Sequence, residues 1–109
     1  MVLSISNYNL YEVKKILANI KKNKVKIIET PHFIKRSMSK NRKKYCKPSI
    51  VYKTLKYKQP IDIKDSDDSK FRIKYNHLNS DRYNIIIVIL IVNKNEIKLI
   101  TTHPEGKNE

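Results

Sequence analysis

Ten residues, Tyr83–Val92 (YNIIIVILIV), constrain the fold of this chain more than any other stretch. Consecutive apolar positions put hydrophobic side chains on both faces of a strand, which marks a central strand of a sheet. One face must be covered by helices, and the second needs a cover as well. The uninterrupted apolar part, Ile85–Val92, is eight residues long and too short to cross a bilayer as a helix.

The segments around this strand supply the rest of the architecture. Leu10, Val13, Ile16, Leu17 and Ile20 recur at helical spacing between Asn9 and Lys21, with Asn9 as a cap, and predict an amphipathic helix. Lys24–Glu29 (KVKIIE) reads as a short strand. Thr30 and Pro31 then open a second helix as N-cap and first helical residue, with Ile34 and Met38 as its packing pair and an end near Lys40. Asn41–Lys47 reads as an exposed basic connector. Pro48 opens a third helix that buries Ile50, Val51 and Leu55 and stops at Gln59-Pro60. Ile61–Ile63, the alternating Phe71–Tyr75 and Glu96–Thr102 are the remaining strands. Turns are expected at 65–69, 79–82 and 93–95, and a frayed end at Gly106–Glu109. The order predicts one α+β domain over residues 1–109, with its core at about 24–104. A small antiparallel sheet of four to five strands packs on two short helices, with an additional N-terminal helix that is a candidate cover for the second sheet face; a partner chain is the other candidate.

Composition narrows the function. Twenty-four Lys and Arg against ten Asp and Glu give a formal net charge of +14 and a pI near 9.9. Such an excess points to a polyanionic partner, with nucleic acid first. The only glycine is Gly106, so the glycine-rich loops that let backbone approach a nucleotide phosphate are missing, which excludes Rossmann, Walker and kinase-type chemistry. Cys46 stands alone, ruling out an internal disulfide or a cysteine zinc cluster and fitting a reducing cytoplasm. Met1–Tyr11 lacks the basic start and apolar core of a signal peptide. The acids at 62, 65, 67 and 68 read as a turn, and neither a metal nor another cofactor is expected.

Four groups of residues can carry chemistry. His32 and Arg36 are four apart on one helix face, and His32, at the positive end of the helix dipole, suits a base acting on a ribose 2′-hydroxyl. Arg72 and Lys74 leave the same side of their strand and suit a phosphate clamp. His103 closes the last strand and suits a general acid; His77 lies on the core side and suits packing. Lys40, Arg42, Lys43, Lys44, Tyr45 and Lys47 form the densest basic run, suited to phosphate contacts and base stacking. In each case a solvated surface is the alternative, and for His32 helix packing is another.

A strand leading into TPHFIKR, a helix closing in QP, then KFRIKY, the apolar strand and a final KLITTHP together resemble the RelE/BrnT-like toxin superfamily, in particular a branch with a His-x3-Arg helix signature. The resemblance covers about Lys24 to Pro104. It implies a small sheet on two helices, metal-independent endoribonuclease members, RNA (ribosome-bound mRNA included) as target, and an acidic antitoxin protein as partner. By position it puts the catalytic role on His32, Arg36, Arg72, Lys74 and, more loosely, His103. The N-terminal helix departs from the pattern, as does the lack of a catalytic Tyr or Arg after Thr102. The residues leave three functions open: such a toxin, a non-catalytic nucleic-acid-binding or regulatory module, and a partner-dependent interaction protein.

Overall fold

The computed structural model describes residues 8–107; the expectations for the first seven residues and the last two lie outside it. The chain folds as α1 (Leu10–Lys21), β1 (Lys26–Glu29), α2 (Pro31–Ser37), α3 (Lys43–Cys46), α4 (Pro48–Tyr57), β2 (Asp62–Asp67), β3 (Lys70–Asn76), β4 (Tyr83–Asn93) and β5 (Glu96–Gly106). The five strands make one sheet in the order β1-β5-β4-β3-β2. This is the expected α+β class, a small sheet packed on helices. The antiparallel expectation holds for β2 to β5, whereas β1 joins the edge parallel to β5, pairing Ile27 with Ile97 and Glu29 with Leu99.

Local chemistry accounts for the helix ends. Asn9 and Glu12 form a reciprocal capping box, with bonds of 2.8 and 2.9 Å. At the other end Asn23 takes a positive φ of 59°. The N–H groups of Asn23 and Lys24 then bond back to the carbonyls of Ile20 and Asn19, closing α1 with a Schellman turn. Thr30 caps α2 by accepting from the Phe33 N–H. The same hydroxyl donates 2.7 Å to the Leu99 carbonyl, fastening the helix start to β5.

The core lies between the helices and one face of the sheet. Phe71, Ile73 and Tyr75 of β3, Ile85, Ile87, Ile89 and Ile91 of β4, and Ile97 and Leu99 of β5 meet the buried sides of α1, α2 and α4. Val13, Ile16, Leu17 and Ile20 belong to this cluster, so α1 shares the layer of α2 and α4. It therefore does not cover the second sheet face, on which Val88 and Leu90 are half-buried.

Three local expectations are corrected. Phe33 and Ser37 are the buried side of α2, while Ile34 and Met38 are 44% and 49% exposed. The helix ends at Ser37, so Met38 caps it and takes no part in an apolar stripe. The connector at 41–47 contains the turn α3, which buries Cys46 completely. Finally, β5 runs past Thr102 to Gly106, with Tyr83 opposite Gly106 and the Lys107 N–H bonded to the Arg82 carbonyl. Pro104 is tolerated because β1 pairs only as far as Leu99, which leaves the outer side of β5 an edge beyond that point. No helix among the described residues is long and apolar enough to cross a membrane.

Candidate functional site

Strand register decides which side chains meet on the open face. Arg72 is opposite Val88, and Lys74 is opposite Ile86. On the other flank of β4, Ile86 is opposite His103, Val88 is opposite Thr101, and Asn84 is opposite Glu105. Residues opposite one another point to the same side of a sheet. The cations of β3 and the imidazole of β5 therefore flank an apolar line through Ile86 and Val88. Ile86 is sealed to 1% although it faces away from the core, as expected where long side chains lay their stems over an apolar neighbour.

His103 is the centre of this arrangement. It is partly buried, and its Nδ1 lies 3.3 Å from the Pro104 carbonyl, which favours the tautomer with hydrogen on Nδ1 and leaves Nε2 as acceptor. Burial lowers its pKa below the ordinary histidine value. The Pro104 carbonyl opposes this, the Arg72 and Arg42 charges add to the lowering, and Glu105 again opposes it. The net result favours a neutral imidazole between two guanidinium groups.

Arg42 reaches this point from α2–α3. Its Nη1 donates 3.0 Å to the Thr102 carbonyl, filling a place on the free edge of β5. Lys74 makes a 2.9 Å ion pair with Glu105, whose carboxyl is held below the usual carboxylate range chiefly by that lysine. Both groups remain partly exposed, so the pair is open to exchange with another anion.

The remaining sequence-derived candidates are distributed differently. His32 and Arg36 stand on the exposed side of α2, opposite Phe33, and neither is among the charges that act on His103. Lys40, Lys43, Lys44 and Lys47 are exposed around α3, a lysine-rich border next to Arg42. Tyr45, expected to stack on bases, is engaged internally: its ring lies 4.6 Å from that of Tyr83 and edge-on to His77 at 5.6 Å. His77 is structural, as expected. Its Nε2 lies 2.8 Å from the Tyr45 carbonyl and its Nδ1 accepts from the Asn79 N–H, which together fix one tautomer.

Arg42 beside His103 is the feature that sequence reasoning missed. In the sequence Arg42 belongs to the basic run, and only the fold brings it across to Thr102. Its proximity to a strand sixty residues on has no local signal. The acids at 62–68 form a bulged strand end and turn, in which the Asp67 N–H bonds to Asp65 at 2.9 Å. Among the described residues no group of three or more His, Cys, Asp or Glu is placed to hold a metal ion.

Comparison with protein-family models, with curated proteins and with solved structures gives no match to this chain.

Proposed function

We propose that this is a toxin-like RNA-binding protein whose open sheet face acts as a metal-independent endoribonuclease, with His103 as the base. The observation that carries the reading is a partly buried imidazole whose surroundings favour the neutral form, set between Arg72 and Arg42 and opposite Ile86 from Lys74. In this scheme His103 Nε2 takes the proton of a ribose 2′-hydroxyl. The 2′-oxygen attacks the adjacent phosphorus, a 2′,3′-cyclic phosphate forms, and the 5′-oxygen leaves with a proton from water. Arg72 and Lys74 hold the charge that builds on the phosphoryl oxygens. The base role passes from His32 to His103, and His32 and Arg36 become outlying phosphate contacts with the lysines around α3. An acidic antitoxin protein is the partner that a face of this charge would take, and ribosome-bound mRNA is one form of the substrate.

Incubation with RNA in EDTA tests the reading. The wild type yields 2′,3′-cyclic ends, and His103→Ala slows cleavage by about 10²- to 10⁴-fold, the usual contribution of a general base. Arg72→Ala slows it as well. No cleavage by the wild type, or equal cleavage by His103→Ala, rejects it.

Two observations favour a second reading, a non-catalytic nucleic-acid-binding or regulatory module. Lys74 is already matched by Glu105, and no second histidine is among the groups that act on His103. That module binds RNA without cutting it. Its affinity falls by about 10³- to 10⁵-fold between 50 and 200 mM salt if about six to ten phosphates are contacted.

A further inference from the structure

On the helix side of the sheet, α1 and α4 do not close completely. A cleft of about 290 Å³ lies between them, floored by Tyr75 and walled by Leu17, Leu55 and Pro60, with Lys14 and Lys58 among the residues that line it. That is roughly twice the 150 Å³ or so of an engineered cavity that holds one benzene ring. Lys21 also borders it but is occupied: its ammonium donates to the carbonyls of Lys56, at 3.4 Å, and of Lys58, capping the C-terminal end of α4. Among the described residues no carboxylate lines the cleft.

Tyr75 gives the cleft a polar end. The residue is only 1% exposed, and nothing among the described residues hydrogen-bonds its hydroxyl. Asn84 Oδ1 is the one fully enclosed side-chain polar atom left without a partner among the described residues. The Tyr75 hydroxyl, also without a hydrogen-bond partner among the described residues, is therefore not sealed off, and Tyr75 lines the cleft. Burial without a hydrogen bond also raises its pKa, so it is a donor at any ordinary pH.

We propose that this cleft binds a small organic acid with a flat apolar body, its carboxylate at Lys14 and Lys58 and a hydrogen-bond acceptor at the Tyr75 hydroxyl. Tyr75 points to the face of β3 opposite Arg72 and Lys74, so the site is separate from the open face and does not depend on what that face does.

Three naphthalene probes separate the parts of the proposal. 6-Hydroxy-2-naphthoate has the acid, the flat body and the acceptor, 2-naphthoate lacks the acceptor, and 2-naphthol lacks the acid. Fluorescence titration of the full chain is expected to show saturable binding of the first, weakened about 3- to 10-fold in the second, as the loss of one hydrogen bond implies. The neutral probe binds about tenfold more weakly still. In Tyr75→Phe the two acids bind alike, and Ala18→Phe, at an exposed position of α1 bordering the cleft, abolishes binding of both. Absence of saturable binding, a Tyr75→Phe variant that still prefers the hydroxy acid, or an Ala18→Phe variant that binds normally would overturn the proposal.

Discussion

Along β3 the two faces of the sheet can be compared residue by residue. Phe71, Ile73 and Tyr75 turn to the helices and are almost completely sealed, while Arg72 and Lys74 turn the other way and keep part of their surface in water. On β4 the same alternation has apolar residues on both sides, because Ile85, Ile87 and Ile89 face the core and Ile86, Val88 and Leu90 face outward. The helix face is thus held by packing and the open face by cross-strand neighbours. Stability resides in the first, the proposed polyanion chemistry belongs to the second, and variants of adjacent residues can separate the two.

The largest contrast is expected at Ile87 and Val88. Ile87→Ala leaves a cavity in a fully buried site and costs about 2–5 kcal/mol. Val88→Ala, half-buried on the open face, costs less than about 1.5 kcal/mol. Urea unfolding midpoints measure both, and equal losses would mean that the second face is covered too. Thr30→Ala removes the cap of α2 together with its bond to Leu99 and costs about 1–2 kcal/mol by the same assay.

The contrast between the faces was partly legible in the sequence. The helical spacing of Val13, Ile16, Leu17 and Ile20, the Thr30-Pro31 start and the Phe71–Tyr75 alternation all depend on near neighbours, and each element formed as expected. The buried side of α2 was misread because the helix has only seven residues. Ser37, not Met38, is the buried residue at its end, its hydroxyl donating to the Ile34 carbonyl at 3.2 Å. The strand expected to end at Thr102 continues, because Pro104 lies on a free edge and does not stop β5. The grouping of His103 with Arg72 and Arg42 was not legible, because it follows from the register that sets Ile86 between Lys74 and His103. A slip of one residue in that pairing would send His103 to the core face.

Smaller effects sharpen the picture of the open face. Arg72→Ala should lower the salt slope of RNA binding by about one counterion while leaving the urea midpoint near that of the wild type. The pH dependence of stability carries a weaker signature. His103 has a lower pKa folded than unfolded, so the unfolded chain binds more protons between the two values. Stability from this group is present above the ordinary histidine pKa of about 6.5 and is lost as pH falls through the lowered value. His103→Gln should therefore flatten the acid side of the stability profile, and an unchanged profile would remove the argument for a neutral imidazole.

The three histidines permit the most direct test, because each reports a different part of the molecule. Their ring proton resonances can be followed by NMR as a non-cleavable RNA, 2′-O-methylated throughout, is added. Phosphate on the open face should shift His103 and raise its pKa, with His77 unmoved in its two hydrogen bonds and any change at His32 smaller. A response at His32 with none at His103 would put the RNA on the outer side of α2 and contradict the assignment of the open face.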